Sequence, residues 1–197
     1  WRSRLFLSIR QIRRQLSRLC RLHTERETLK RVLEGIDPGF EHSEGFRAHL
    51  MRRIEELAAY TRTRAANPEH AWDRKAIDWP LSSESTVIEV GGYTGRWALQ
   101  IAERYHPRLF VFEPQPWAWA TACAVLGDRA EVRCYGLGAE DSNLPMGGWE
   151  TDGCSFVKPG LNIPGMTGEI REIGKAFQEL GIAQIDLMMI NVEGYEY

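Results

Sequence analysis

Two carboxylates, Glu89 and Glu113, sit within or at the end of apolar runs, and a glycine turn follows the first of them. The first run, Val87-Ile88-Glu89-Val90, passes through Gly91-Gly92-Tyr93-Thr94-Gly95 into a helical stretch from Arg96 to Tyr105. The second run, Leu109-Phe110-Val111-Phe112, ends at Glu113-Pro114, 18 residues beyond Gly95. In nucleotide-binding α/β units an acidic residue at about that distance past the glycine loop accepts hydrogen bonds from ribose hydroxyls. Each such bond to a charged acceptor contributes roughly 1.5–3 kcal/mol. Gly91 and Gly95 let the backbone turn tightly and approach a ligand without a Cβ in the way. A dinucleotide fingerprint would need Gly-x-Gly-x-x-Gly, whereas Tyr93 and Arg96 occupy its second and third glycine positions. The spacing therefore disfavours a pyrophosphate and leaves open an adenosyl ligand without one. The plain alternative for Glu113 is an ordinary carboxylate on a solvated strand end.

A third apolar run, Ile185-Asp186-Leu187-Met188-Met189-Ile190, leads into Asn191-Val192-Glu193-Gly194-Tyr195-Glu196. Period-two alternation puts Asn191 and Glu193 on one side of that strand end, towards the same cleft. Over about residues 80–197 these three motifs resemble the FkbM family of S-adenosylmethionine-dependent methyltransferases. Where that family reads Asp-Val-Gly-Ala-Asn-x-Gly, this chain has Glu89-Val90-Gly91-Gly92-Tyr93-Thr94-Gly95. The family's Phe-Glu-Pro is present as Phe112-Glu113-Pro114, and its Lys-Ile-Asp-Val-Glu-Gly-x-Glu corresponds to Met189 through Glu196. Met189 and Asn191 stand where the family has Lys and Asp, and Ile173-Gly174 where it has a Leu-Asp pair.

The resemblance implies a Rossmann-like class I methyltransferase fold, with a doubly wound, mostly parallel sheet, and S-adenosylmethionine as cofactor. On that basis Glu89 holds the methionyl ammonium, with bonding of a loop backbone N–H as its plain alternative. Gly91, Gly92 and Tyr93 line the amino-acid end, beside Gly95. Glu113, followed by Pro114, clamps the ribose. The implied reaction is O-methyl transfer to a hydroxyl of a sugar, glycan or small-molecule natural product. Methyl transfer from a sulfonium is an in-line displacement, so alignment of the reacting atoms can supply much of the rate. Glu193 is the carboxylate left to take the acceptor's proton, or else it bonds the turn at Gly194. Asn191 can form hydrogen bonds there but cannot act as a general base. These departures keep a second reading open, a non-catalytic domain of this fold that assembles through the N-terminal helix. A third is a methyltransferase module of a larger glycan-modifying protein.

Other residues carry less. Asp186, Glu193 and Glu196 form no recognisable ligand set, and Asn191 removes the obvious anionic ligand, so no metal is expected. His106, ahead of Pro107, reads as a helix terminator rather than a base. Trp117 and Trp119 read as core, with one of them bordering the adenine or sugar as the alternative. Cys20, Cys123, Cys134 and Cys154 contain no Cys-x-x-Cys pair, which points to buried thiols in a reducing, cytoplasmic setting.

The elements that position these groups alternate. A strand from Thr86 is followed by a helix (95–105), a strand (108–113), a helix (116–127) and a strand (130–135). An irregular region rich in Gly, Pro and Asn (136–168) comes next, in which residues 152–157 add a short hairpin strand over the site. A helix (170–181) and a strand (185–191) complete the order. Such alternation predicts a parallel, doubly wound α/β sheet over residues 86–197, incomplete at its C-terminal end. Residues 41–85 read as a helical cover and connector. Its helix runs from Glu44 to Ala66 with Phe46, Leu50, Ile54 and Leu57 on one side, and Trp72, Ile77, Trp79 and Pro80 follow it.

Residues 1–40 read as a basic amphipathic arm, with Trp1, Leu5, Ile9, Ile12, Leu16 and Leu19 on one face and arginines opposite. Charge is partitioned accordingly: residues 1–66 hold 15 Lys/Arg against 8 Asp/Glu, and the remainder 10 against 19. The arm suits a coiled coil with a protein partner or second copy. Peripheral contact with anionic membrane is the next reading. The acidic domain disfavours a nucleic-acid groove. No apolar run approaches the ~20 residues needed to span a bilayer. Starting on Trp and ending just past a strand, the chain reads as a fragment.

Overall fold

Short runs of β-branched and aromatic residues form the central strands. β1 (Thr86–Val90) and β2 (Arg108–Phe112) are buried along nearly their whole length, the signature of parallel strands covered on both faces. They belong to a four-stranded, all-parallel sheet with β3 (Glu131–Arg133) and β7 (Leu187–Ile190), in the order β3-β2-β1-β7. The register is continuous from Thr86↔Arg108 to Val90↔Phe112 on one side of β1, and from Val87↔Leu187 to Val90↔Ile190 on the other. The sheet grows outward from β1 through β2 to β3, then the chain returns to the far side of β1 as β7. That reversal makes a topological switch point at the carboxyl ends of β1 and β7, where open α/β sheets bind ligands. The computed structural model describes residues 44–66, 77–147 and 162–192. The described residues all lie in one compact unit, His42–Tyr197. The expected arm, Trp72, the hairpin strand at 152–157, and Glu193 to Glu196 lie outside the described residues.

Alternation along β1 and β2 divides the core in two. Val87, Leu109 and Val111 pack against α2 (Arg96–Tyr105) and α3 (Pro116–Leu126), through Ala98, Leu99, Ile101, Ala122, Val125 and Leu126. On the opposite face Ile88, Val90, Phe110 and Phe112 meet Tyr135 together with Ala176 and Phe177 of α4 (Ile173–Leu180). Phe110 and Phe112 are 1% and 0% exposed, and full burial of each such side chain stabilises by roughly 1.5–3 kcal/mol. The result is an α/β fold with helices on both faces of a parallel sheet.

The helix ahead of the sheet, α1 (Glu44–Ala66), lies over α2 and α3. Ile54, Ala58 and Thr61 are buried along one face. Arg62 donates to the Ala124 carbonyl, and Gln100 Nε2 donates to the Ala65 carbonyl at 3.1 Å. This outer layer explains why α3 is apolar nearly all round: it is covered by the sheet below and by α1 above. Of the connector, residues 77–85 are described: Ile77 packs partly on the core, whereas Trp79 stays 44% exposed. Tyr105 Oη accepts from Trp79 N at 3.1 Å and donates to the Ile77 carbonyl at 3.1 Å.

One expectation is corrected. Residues 136–168 were expected to be irregular, yet they contribute to a second, three-stranded sheet of β4 (Gly136–Gly138), β5 (Ser142–Gly147) and β6 (Asn162–Glu172), ordered β4-β6-β5. Pairing partners far apart in sequence override the strand-breaking composition. Pro145 sits on the edge strand β5, where a missing N–H is tolerated, and a register shift follows it. The helix expected from residue 170 accordingly starts only at Ile173. The Glu172 carboxylate caps it, accepting from Gly174 N at 2.8 Å and Lys175 N at 2.7 Å.

Candidate functional site

Glu113 follows β2 directly, and its carboxylate is the hub of the glycine loop. Oε2 accepts from Tyr93 N at 2.7 Å and Oε1 from Gln115 N at 2.8 Å. The loop is also laced to β2 by Gly91 N and Gly92 N, which donate to the Phe112 carbonyl at 2.8 and 3.3 Å. The carboxylate expected to wait for a ribose thus also organises the protein. An ionised carboxylate offers about four acceptor positions, so two of Glu113's remain beyond these backbone bonds. Pro114 spans the turn between Glu113 and Gln115 and is only half-buried.

Glu89 lies on β1 facing α2, 5% exposed. Ala98 N, in the first turn of α2, donates to its carboxyl, where unsatisfied amides and the positive helix end favour an acceptor. The backbone N–H that one of its oxygens bonds is thus on helix α2, not on the loop as the plain alternative for Glu89 had it. The other, Oε2, is buried with no hydrogen-bond partner. A Cβ built on Gly92 would come within 3.4 Å of that oxygen and 2.2 Å of Val111 Cγ1, so only glycine fits between them.

The two acids influence each other. Burial pushes the Glu89 carboxyl well above its ordinary range, and the facing Glu113 charge adds to this against the Ala98 N–H. Burial raises Glu113 to about 7, opposed by the Gln115 and Tyr93 N–H groups. No Lys, Arg or His among the described residues forms an ion pair with either.

The remaining loop residues have explicit positions. Gly91 adopts φ 80°, and a Cβ there would lie 2.0 Å from the Asn191 carbonyl oxygen. This glycine therefore lets the tips of β1 and β7 touch, a seam continued by Asn191 N donating to the Val90 carbonyl at 2.9 Å. Gly95 opens α2 and backs onto Leu126 and Ala122 of α3. Tyr93 holds φ 46°, an uncommon value for a residue with a side chain, tied down by its bond to Glu113. Its ring meets Trp117 edge-on at 5.3 Å.

Glu89, Gly91, Gly92, Tyr93, Gly95, Glu113 and Pro114 are thus gathered at the carboxyl ends of β1 and β2. Asn191 joins them through its backbone at the switch point, with its side chain exposed. Glu193 lies outside the described residues. Trp117 and Trp119 are both buried in α3, and His106 ends α2 in the left-handed conformation, as a terminator would.

Sequence reasoning missed Gln115, and it read Trp117 as core without its orphaned N–H. Gln115 is 1% exposed, and its Nε2 has no hydrogen-bond partner; Trp117 Nε1 is likewise buried without one. The Pro-Gln-Pro run at 114–116 was the available signal, since two prolines fix the turn that brings Gln115 N back to Glu113. Among the described residues no group of three or more His, Cys, Asp or Glu could hold a metal ion. Nor is any described helix long and apolar enough to cross a membrane.

An adenosyl ligand with a cationic amino-acid end meets a partial fit here. The orphaned Glu89 Oε2 suits a cation, and the outer acceptor positions of Glu113 suit hydroxyls. The glycines, by contrast, are accounted for by contacts within the protein. Compared with known proteins, the chain matches no family model, no curated protein and no solved structure.

Proposed function

We propose that this chain is an S-adenosylmethionine-dependent methyltransferase of the FkbM type, with a Rossmann-like class I fold, acting on a hydroxyl of a sugar, glycan or small natural product. The observation that carries the reading is the pair of buried acids at adjacent strand tips, one with an unpartnered oxygen and neither in an ion pair with a Lys, Arg or His among the described residues. A closed site holding uncompensated carboxyls is costly, and a cationic ligand offsets that cost.

When bound, S-adenosylmethionine supplies a methyl group already activated by its sulfonium. The protein's part is to bind and align. Glu89 holds the ammonium through Oε2 while its other oxygen stays on Ala98 N. Glu113 takes the ribose hydroxyls while keeping Tyr93 and Gln115 in place. Tyr93, braced against Trp117, walls the loop. Acceptor deprotonation falls to Glu193, with Asn191 orienting the hydroxyl.

A second reading is favoured by Met189 and Asn191, which put no amine and no base at the end of β7. On it the domain binds the ligand without transferring a methyl group, and the basic arm assembles it with a partner or membrane. Titration calorimetry with S-adenosylmethionine, paired with transfer of labelled methyl to a panel of hydroxylated sugars, separates the two. Binding with transfer supports the enzyme, and binding without transfer to any acceptor supports the second reading. No binding by a protein that melts cooperatively rejects the enzyme and leaves, of the second reading, only a scaffold that assembles through its arm. Salt-sensitive co-sedimentation with anionic vesicles would assign the arm to lipid rather than to a coiled coil.

A further inference from the structure

Among the described residues, no Lys, Arg or His forms an ion pair with Glu89 or Glu113. The register neighbours of Glu89 are Val111 on β2 and Met189 on β7, both apolar. From α2 it meets the Ala98 N–H, and from the end of β2 the charge of Glu113. Glu113 meets the N–H groups of Tyr93 and Gln115 and the Cys134 thiol beyond β3, which burial keeps protonated. The guanidinium on β3, Arg133, is engaged with Glu131.

We propose that a positively charged ligand takes the place of this missing base and expels a proton from the Glu89–Glu113 pair as it binds. The proposal rests on the adenosyl-ligand reading above and adds proton coupling to it. In the step, the O–H bond of the protonated carboxyl breaks, its electron pair stays on the carboxylate beside the incoming cation, and the proton passes to solvent. No redox change occurs. The unpartnered Glu89 Oε2 is the oxygen placed to make the new contact. Both carboxyls are raised, and Glu113, at about 7, supplies a proton to lose near neutrality. A cation favours their ionised forms, so affinity should climb with pH up to the free protein's titration range and level off above it.

The test is calorimetry of S-adenosylmethionine between pH 6 and 7, where a ligand α-amine of ordinary pKa, about 7.7–8.0, stays charged. Each pH is run in two buffers of different ionisation enthalpy. The expected result is release approaching one proton per ligand at pH 6 and diminishing towards pH 7, with a Kd that falls by about five- to tenfold over that unit, tenfold being the limiting slope of one linked proton. Adenosine, which carries no cation, should bind without proton release. Glu89→Gln, which keeps an acceptor for Ala98 N, should bind S-adenosylmethionine more weakly and release fewer protons, since only Glu113 is left to lose one. Flat, buffer-independent binding of S-adenosylmethionine overturns the coupling while leaving the cofactor reading intact. Equal release with adenosine, or undiminished release by Glu89→Gln, also overturns it. Failure of every adenosyl ligand to bind at any pH sinks both.

Discussion

At the scale of single residues, Glu113 does two jobs with one carboxylate. In Glu113→Gln the amide nitrogen donates and cannot accept, so either Tyr93 N or Gln115 N loses its acceptor. A buried donor left unsatisfied costs about 1–3 kcal/mol, and urea denaturation should show a loss of that size at pH 6. The pair also makes stability depend on pH, with a sign that follows from the raised carboxyls. Between about pH 4.5 and 7 an unfolded glutamate is ionised while folded Glu113 still holds its proton. The folded state binds more protons there, so stability falls as pH rises. Glu113 alone accounts for about 3 kcal/mol across that window. The thermal midpoint should therefore drop from pH 5 to pH 7.5, and Glu89→Gln, neutral throughout, should drop less. An unchanged midpoint over that range would show that the acids are solvated. The two glutamates were legible in the sequence because strand ends and glycine spacing mark them. Gln115 was not, because its burial arises from the turn over Pro114, and Trp117 was legible as core but not as a buried N–H without a partner.

At the scale of elements, the seam between β1 and β7 depends on one missing side chain. Gly91 combines φ 80° with a Cβ position 2.0 Å from the Asn191 carbonyl. Gly91→Ala must therefore both strain the turn and push the strand tips apart. Strain and overpacking together place the expected cost above about 3 kcal/mol, beyond the common range for single substitutions. Hydrogen exchange should report it first at Asn191 N, which donates to Val90. A stability equal to wild type would mean that the tips do not touch. Elements were legible where local pattern and tertiary role agree. The β1, β2, α2 and α3 runs were read to within a residue or two, because short buried strands and the amphipathic α2 write distinct patterns and Pro116 and Gly127 bracket the apolar α3. The second sheet was missed for the opposite reason. Its β5 and β6 hold Pro145, Pro164, Gly165 and Gly168, residues that signal loops locally, and only pairing with each other makes them strands.

At the scale of the whole molecule, the buried acids and the fold are linked through whatever binds between them. A domain of this size is stable by only about 5–15 kcal/mol, so a few kcal/mol tied to two carboxyls is a substantial share. A ligand that binds only the folded state adds RT ln(1 + [L]/Kd), about 2.7 kcal/mol at a hundredfold excess over Kd. For a chain of 150–250 residues each kcal/mol moves the midpoint by about 2–4 °C. Saturating S-adenosylmethionine should then raise the midpoint by roughly 5–10 °C at that excess. The two pH effects run in opposite directions. The free protein loses stability as pH rises from 6 to 7, whereas the cation-bound form retains ionised carboxyls that now have a partner. At fixed ligand concentration the ligand-induced shift should therefore widen with pH over that interval. Thermal melts at a series of pH values with and without S-adenosylmethionine would read both curves at once. A shift of constant size would mean that the ligand, if bound, leaves the protonation of Glu89 and Glu113 untouched. A shift that narrows with pH would place its charge away from them.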